Sequence, residues 1–329
     1  MLAKLSQWVQ QNKLKALRSI RFFNVLFNLL HRKELIYLQP LYSKYKVKKR
    51  WFSTIQSSDL HRLPEQPLWL DTKDSEAYMP QQAFYERLTS ENQEALRGWS
   101  QQGYAHLKQF FTAEQTSAIA AVSDGLWHSQ NGKWRFGDRR VKAAFEHRIL
   151  WDMAHQETLL SIISCLLGDK AVLLNSINFM RGDEQPAHSD SFYMTTYPAG
   201  RLIGIWIALE DIQPGTGALK YYPGSHRLPY TTNADLNNLG NFWTIGNNGE
   251  QPYEEHVRQL IAKHGLKEVY HLPKKGDVLL WHANLLHGGS KIDNKEATRK
   301  SMVCHYVGSQ ALAFHEISQR PALRPNPFT

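Results

Sequence analysis

Cysteine is nearly absent from the 329-residue chain, which contains only Cys165 and Cys304, each within an apolar run. Two such residues provide neither a disulfide framework nor a cysteine-rich zinc site. Their scarcity favours a reducing compartment, which we take to be the cytoplasm. Long apolar runs are also absent, because the longest (about 22–30) is interrupted by Asn24 and Asn28, and a spanning helix needs ~20 residues. No small-residue cleavage site follows this run, so it does not match a secretory signal.

Acidic residues are missing from the beginning of the chain. Residues 1–50 contain 12 Lys/Arg and the single acid Glu34, whereas the rest is nearly neutral. The net charge of +9 and the pI near 9.4 therefore describe a basic segment attached to a nearly neutral body. Overall, 42% of the residues are hydrophobic and 12% aromatic, a composition that excludes a disordered chain and is sufficient for a large core.

The basic segment, residues 1–56, has the pattern of an amphipathic helix with a cationic face. Polar side chains recur at helical spacing, at Lys4, Gln7, Gln11, Lys15, Arg18, Asn24, Asn28 and Arg32. Three interpretations stay open. The helix packs on its own domain or on a second subunit, or it rests on an anionic membrane surface as a peripheral anchor, or it contacts nucleic acid or directs the chain to an organelle. Because no nucleic-acid-binding fold motif is present, nucleic acid is the weakest of these partners, and the oligomeric state stays open.

The rest of the chain divides into a linker and one domain. A polar stretch punctuated by prolines predicts a linker at 57–80, followed by a domain at 81–329. Helical patterns cover about 81–101, 113–128 and 147–167, and Thr112 with Gln115 predicts a capping box for the second. Strands are predicted at 103–111, 172–180, 202–209, 218–222, 269–272, 277–281 and 300–307. This order indicates a mainly β protein with flanking helices, a β-sandwich or jelly roll. The Asn-rich stretch 231–265 is interpreted as an insertion that covers an active-site mouth.

A metal-binding pattern lies in the β-rich part. His188 and Asp190 are two residues apart in an extended stretch, so their side chains project to the same side. His287 follows about a hundred residues later, at the end of a predicted strand. Two histidines and one carboxylate form one face around a non-haem Fe(II) and leave positions open for a cosubstrate and O₂.

His282 competes with His287 for the third ligand position. Five residues apart, the two point to opposite faces of an ideal strand, so both are not expected to bind the metal. His287 is favoured because Gly288 and Gly289 give its backbone the freedom to present it, and because it lies closer to Arg299. Arg299, twelve residues further on, is positioned to pair with a carboxylate through its guanidinium group.

From about 103 to about 307 the sequence resembles the phytanoyl-CoA dioxygenase family of Fe(II)/2-oxoglutarate-dependent oxygenases. The matching segments are 103–111, 188–190, 206–212, 215–220, 222–227, 276–277, 287–290 and 299–301. The resemblance implies a double-stranded β-helix (jelly-roll, cupin-like) core. It also implies a dioxygenase that hydroxylates an unactivated carbon while 2-oxoglutarate is converted to succinate and CO₂.

Residue by residue, the resemblance implies that His188, Asp190 and His287 bind iron and that Arg299 binds the distal carboxylate of 2-oxoglutarate. It implies further contacts to this cosubstrate from Trp206 and Asn178, and from Ser290 or Ser301 depending on strand register. Each of the two also has a purely structural interpretation, Trp206 as a core residue and Asn178 as a hydrogen-bond partner for backbone groups at a strand end. The expected cofactors are Fe(II), 2-oxoglutarate and O₂, with ascorbate as an additional candidate. Relatives that halogenate need a small residue at the carboxylate position, so Asp190 favours hydroxylation.

The substrate is not determined by these motifs. We expect a small molecule or an amphiphilic, lipid-like molecule, and the latter is favoured if the basic helix holds the enzyme at a membrane. The alternatives are a nucleic-acid-modifying oxygenase, a non-catalytic jelly-roll binding protein and a zinc hydrolase with the same ligands. The binding protein is disfavoured because all three ligands and Arg299 are present, and the hydrolase because it has no use for the arginine.

Overall fold

The computed structural model describes residues 19–60, 74–128, 135–136, 138–246, 250–325 and 327–328. Within these residues the helices are α1 (Arg21–Leu30), α2 (Arg32–Leu35), α3 (Leu38–Lys44), α4 (Ser75–Tyr78), α5 (Ser90–Arg97), α6 (Trp99–Gln102), α7 (Ala113–His128), α8 (Arg148–Ala154), α9 (Glu157–Leu167), α10 (Asp190–Tyr193) and α11 (Gln251–Lys263). The strands are β1 (Tyr104–Leu107), β2 (Arg135–Phe136), β3 (Arg139–Val141), β4 (Ala171–Phe179), β5 (Thr195–Tyr197), β6 (Leu202–Ala208), β7 (Leu219–Tyr221), β8 (Val269–Tyr270), β9 (Val278–His282), β10 (His287–Gly289), β11 (Ser301–Gly308), β12 (Leu312–His315) and β13 (Arg320–Pro321).

The strands form the predicted mainly β, jelly-roll architecture with flanking helices. Seven of them make an antiparallel sheet in the order β1-β9-β6-β11-β4-β3-β2. Two three-stranded sheets, β10-β7-β8 and β13-β12-β5, pack against one face of it through two hydrophobic clusters. Helices α5 to α9 pack against the other face.

Alternation along the central strands separates these two faces. In β6, Ile203, Ile205 and Ile207 join the cluster formed with the helices, whereas Trp206 and Ala208 face the smaller sheets. Every residue of β6 is buried, as expected for a strand covered on both sides. The space between the large sheet and the smaller sheets is therefore the interior in which a site is built.

The predicted elements are mostly present. Each of the seven predicted strands overlaps an observed one, and the capping box of α7 is formed, with Thr112 N donating to Gln115 Oε1 at 3.0 Å and Gln115 N donating to Thr112 Oγ1 at 3.2 Å. The helix predicted at 147–167 is observed as two helices, α8 and α9. The first ends at Ala154, and the Gln156 side chain caps the second by accepting from Leu159 N.

The stretch predicted as a linker, 57–80, is largely part of the domain where it is described. Residues 61–73 lie outside the described part of the chain. Residues 74–81 form α4 and a 3₁₀ turn, Ser75 Oγ donates to the Arg97 carbonyl, and Met79 is buried in the main core. Pro80 lies in the 3₁₀ turn, and the neighbouring Met79 side chain packs against the helical layer.

The N-terminal segment is also packed on the body of the protein. Leu35, Leu38 and Tyr42 form one hydrophobic cluster with Leu312 and Phe314 of β12. The amphipathic helix is present as α1, but it packs through its asparagines and turns its apolar side chains outward. Residues 1–18, which contain the other half of the predicted helix, lie outside the described part. In the residues that the structure describes, no helix has both the length and the apolar character needed to cross a bilayer.

Candidate metal centre and cosubstrate pocket

His188, Asp190 and His287 meet in one buried cluster between the large sheet and the smaller ones. One ligand atom from each lies within 4.8 Å of the others. Asp190 Oδ1 is 3.9 Å from His188 Nε2 and 3.8 Å from His287 Nε2. The two histidines also exchange both backbone hydrogen bonds, at 2.8 and 2.9 Å, so sheet pairing itself sets their spacing.

Hydrogen bonds fix the tautomers of both histidines. His188 Nδ1 lies 2.9 Å from the Pro186 carbonyl and His287 Nδ1 lies 3.0 Å from the Leu285 carbonyl. A carbonyl only accepts, so each Nδ1 carries a proton, and in the neutral tautomer the lone pair is on Nε2. Burial lowers the pKa of His188 to about 4, so it is neutral at physiological pH. Both rings are thus held by Nδ1, which orients them as metal ligands through Nε2.

Asp190 is held in its ionised form by its neighbours. Burial raises its pKa, but His305 and His287 outweigh this effect and lower the pKa well below the ordinary range. Trp281 Nε1 donates to Asp190 Oδ2 at 2.7 Å, and His305 Nε2 lies 3.3 Å from the same oxygen. Oδ2 is thus occupied by donors, while Oδ1 faces the two Nε2 atoms.

Two glycines make this arrangement possible. The Trp281 indole fills the space above Gly204 of β6, where any Cβ would overlap the ring. At Gly288 a Cβ would lie 2.7 Å from the Gln185 carbonyl oxygen. The role predicted for Gly288 was backbone freedom, but its φ is outside the left-handed region, and the structure requires it for close approach to the loop that carries His188.

The predicted insertion at 231–265 contacts the metal-binding loop from behind. Its residues 247–249 lie outside the described part, and α11 packs beside α10 through Tyr253. The Tyr253 ring stacks on Phe192 with centroids 3.8 Å apart, and its hydroxyl accepts from Ser189 N at 2.8 Å. Since Ser189 lies between two ligands, α11 supports the loop.

A cavity of about 260 Å³ opens onto the three ligands. Its walls are apolar at Ile177, Phe179, Met194, Trp206, Leu219, Trp281 and Val303, and polar at Arg139, Asn175, Asp183, Gln185, Tyr193, Arg299, His305 and His315. Four of these residues have a buried polar atom without a hydrogen-bond partner, namely Asn175 Oδ1, Trp206 Nε1, Arg299 Nε and His305 Nδ1. Unpaired buried polar atoms are costly, so their convergence indicates a cavity shaped for a polar guest.

Arg299 is the buried cation of this cavity. Its guanidinium lies 5.1 Å from the Phe179 ring and 5.7 Å from the Trp206 ring. Burial lowers its pKa to about 10, against the raising effect of Asp183, so it stays charged at neutral pH. Asp183 forms an ion pair with Arg139 instead. Arg299 therefore fits an incoming carboxylate, because a buried cation is stabilised by an anion that hydrogen-bonds to it.

The residues present fit both groups that the motifs imply. Two imidazole Nε2 atoms and a carboxylate oxygen are the donor set of the 2-His-1-carboxylate iron site. A dicarboxylate such as 2-oxoglutarate would satisfy the N–H groups of Arg299 and Trp206. The Ser301 hydroxyl is also buried without a partner, and alternation places it on the same face of β11 as Val303 and His305.

Three other candidates lie elsewhere. Asn178 is on the helix-facing side of β4, where its amide donates to Ser123 Oγ at 2.8 Å, so the contact to the cosubstrate predicted for it is wrong. Ser290 lines a separate, smaller pocket, which leaves Ser301 as the better placed serine. His282 also points away from the metal ligands, and its ring lies 5.4 Å from that of His226.

The sequence reasoning did not assign roles to Trp281, His305 or Tyr253. His305 had a usable signal, because it lies four residues after Ser301 on the same face of one strand. Trp281 precedes His282 on β9, the strand that contains the rejected ligand candidate. Alternation along a strand places Trp281 on the face opposite to that of His282. Tyr253 had no local signal, since 64 residues separate it from Ser189.

Comparisons with known proteins agree with this site. The family model described as phytanoyl-CoA dioxygenase (PhyH) matches residues 99–301. Phytanoyl-CoA dioxygenase domain-containing protein 1 of Danio rerio is 28% identical over 148 residues, which cover 45% of this chain and 47% of that protein. Its counterpart in Rattus norvegicus is 33% identical over 99 residues, 27% of this chain and 33% of that protein. These alignments span about half or less of the relatives.

Solved structures resemble the chain in fold. EctD from S. alaskensis in its apoform has 17% identity and a TM-score of 0.55, over 74% of this chain and 85% of that one. The non-heme alpha-ketoglutarate-dependent carbocyclase SnoK from nogalamycin biosynthesis has 17% identity and a TM-score of 0.54, over 73% and 90%. At such identities the likeness concerns the fold alone. The family model, by contrast, matches more than half of the sequence, so the resemblance predicted from the motifs is confirmed and the chain belongs to the phytanoyl-CoA dioxygenase family.

Proposed function

We propose that the protein is a non-haem Fe(II)- and 2-oxoglutarate-dependent oxygenase that hydroxylates an unactivated carbon of a small-molecule or amphiphilic substrate. The observation that carries the proposal is a single cavity lined both by the His188–Asp190–His287 cluster and by the buried cation Arg299. Bound iron supplies the oxidative chemistry, which is coupled to the conversion of 2-oxoglutarate to succinate and CO₂.

The protein's own residues orient the reactants. His188 and His287 present lone pairs on Nε2, and Trp281 with His305 holds Asp190 by its other oxygen. Arg299 provides a fixed positive charge for the distal carboxylate of 2-oxoglutarate, beside the unpaired N–H of Trp206. The apolar walls limit the access of water to the site.

The substrate is proposed to occupy the part of the cavity lined by Tyr193, Met194 and His315, which are outside the group of metal ligands. The Tyr193 ring lies 5.4 Å from that of His188, so a molecule against Tyr193 is next to the metal. An apolar surface with a hydroxyl and an imidazole suits a largely apolar molecule that carries a polar group. The carboxylate at Asp190 supports hydroxylation as the outcome.

Anaerobic titration of Fe(II) and 2-oxoglutarate into the metal-free protein tests this proposal. We expect the weak visible charge-transfer band of the iron–keto-acid chelate, and we expect His287→Ala to abolish it. His282→Ala is the matched control, since it removes a buried histidine of the neighbouring segment that lies away from the ligands. Folded protein without the band would contradict the proposal, and so would a band that depends on His282 rather than on His287.

A further inference from the structure

Helix α1 packs on the protein with its polar side inward. Asn24 and Asn28 are its buried residues, with Asn24 Oδ1 accepting from Arg320 Nε at 2.6 Å and Asn28 Nδ2 donating to the Phe52 carbonyl at 2.9 Å. The apolar side chains face outward instead, with Phe22 69% and Leu30 76% exposed and Phe23, Leu26 and Leu29 also exposed. This orientation is the reverse of that of an ordinary surface helix, which buries its apolar stripe.

A second exposed apolar pair adjoins the start of this helix. Phe242 and Trp243 are 80% and 73% exposed, with ring centroids 4.9 Å apart. Their loop is tied to the helix because Arg21 N donates to the Trp243 carbonyl at 2.9 Å and Ile20 forms a β-bridge with Thr244. We call the exposed side chains of α1 together with Phe242 and Trp243 the apolar patch. Contiguous exposed apolar surface of this kind marks a site of interaction.

Positive charge accompanies the apolar patch. Arg32 and Lys33 lie just beyond the end of α1, after His31, and are exposed. Four further exposed bases lie nearby in the sequence, at Lys44, Lys46, Lys48 and Arg50. The only acids among residues 19–60 are Glu34 and Asp59, and neither is fully exposed. Arg50 lies 5.8 Å from the ring of Phe52, the residue whose carbonyl accepts from Asn28, so this basic segment borders α1.

We propose that the apolar patch and its surrounding bases dock the protein on the interface of an anionic membrane. Aromatic and leucine side chains that face outward beside lysines and arginines are the features of an interfacial helix. A second copy of the chain fits less well, because it would bring two clusters of like charge together. The proposal does not depend on the oxygenase activity, since it involves none of the metal-site residues.

The docked surface is connected to the cavity by a short path. Arg320 donates a hydrogen bond to Asn24 of α1 and lies 4.4 Å from the Phe27 ring. On the other side it pairs, between strands β13 and β12, with His315 of the cavity wall. A protein held by α1 would therefore keep one wall of its cavity close to the bilayer.

Sedimentation of the full-length protein with vesicles tests the proposal without iron or 2-oxoglutarate. We expect binding to vesicles of phosphatidylcholine with phosphatidylserine at low salt, and a decrease as salt is added. Phe22→Ser combined with Leu26→Ser should lower the partition coefficient more than about tenfold. Arg32→Gln combined with Lys33→Gln should lower it roughly thirtyfold, since each base near the surface contributes about fivefold.

Matched control variants distinguish binding through the apolar patch and its bases from nonspecific binding of the protein to vesicles. Ile149→Ser alters an apolar residue on α8 that is as exposed as Leu26, and Lys263→Gln with Lys267→Gln removes two exposed charges elsewhere. Neither change should alter vesicle binding. The proposal is overturned if the protein stays in the supernatant at low salt, if phosphatidylcholine alone binds it equally, or if the patch variants bind as the wild type does. It is also overturned if the protein is a dimer that Phe22→Ser with Leu26→Ser converts to monomers, because a second copy would then occupy the patch.

Discussion

Replacing Tyr253 with phenylalanine removes one oxygen atom from behind the metal-binding loop and leaves the aromatic ring in place. The ring is stacked on Phe192 with an interplanar angle of 5°, so the packing is retained. The loss is the acceptor for the buried backbone N–H of Ser189, 2.8 Å away. A buried N–H without a partner costs about 1–3 kcal/mol. We therefore expect the free energy of unfolding of the metal-free protein to fall by this amount.

Tyr253→Phe should also weaken metal binding, because Ser189 lies between the ligands His188 and Asp190. Groups that orient metal ligands typically contribute about 10–100-fold to affinity, and we expect a loss in this range. Denaturant unfolding measures the stability, and anaerobic Fe(II) titration against a chromophoric chelator measures the affinity. Tyr270→Phe is the control, since it removes from β8 an exposed hydroxyl that donates to Glu268. If the two variants behave alike in both assays, the support assigned to α11 is refuted.

Three further predictions concern the pocket and the buried histidines. Arg299→Lys keeps the charge but loses the planar fork of the guanidinium, so the affinity for 2-oxoglutarate measured by calorimetry should fall by about tenfold or more. Asn178→Ala should leave this affinity unchanged. Equal losses in the two variants would contradict the placement of Asn178. Trp281→Phe removes the 2.7 Å hydrogen bond to Asp190 and should lower Fe(II) affinity about 10–100-fold in the chelator competition, and an unchanged affinity would count against this contact. Burial lowers the pKa of His226 to about 4 and those of His271 and His282 to about 3, from 6.5 when unfolded. The unfolded chain therefore binds more protons below pH 6.5, so the free energy of unfolding should fall as the pH drops toward 4, by up to about 1.4 kcal/mol per pH unit for each histidine. His282→Gln should make this slope shallower in denaturant titrations at several pH values, and an unchanged slope would show that His282 is not buried in its neutral form.

The larger strands could be predicted because their local signals agree with their tertiary environment. β6 is an apolar run bounded by turn residues, and it forms the centre of the large sheet. β10 could not be found in the same way, because two of its three residues are glycines with little preference for extended structure. It is a strand because His287 pairs with Tyr221 and bridges to His188, partners that are remote in sequence.

The metal ligands were accessible to sequence reasoning because chemistry restricts them to a few residue types at recognisable spacing. Which face of a strand lines the cavity was harder to predict from the sequence. Asn178 is on the expected strand, but nothing local indicates which side of β4 meets the cavity, and its neighbour Ile177 lines the wall. Polarity was misleading in α1 as well, where Asn24 and Asn28 are buried because Arg320 and the Phe52 carbonyl supply their hydrogen bonds.

The cluster that joins Leu35 and Leu38 to Leu312 and Phe314 has a consequence for biosynthesis. Tyr37 also donates to the carbonyl of Ala322, across a sequence separation of 285 residues. During translation the early leucines emerge long before their partners exist, so they stay uncovered until nearly all of the domain has left the ribosome. Closing so long a loop is slow, and apolar side chains exposed meanwhile promote aggregation. Nascent chains of this protein are therefore expected to need chaperone protection until β12 emerges.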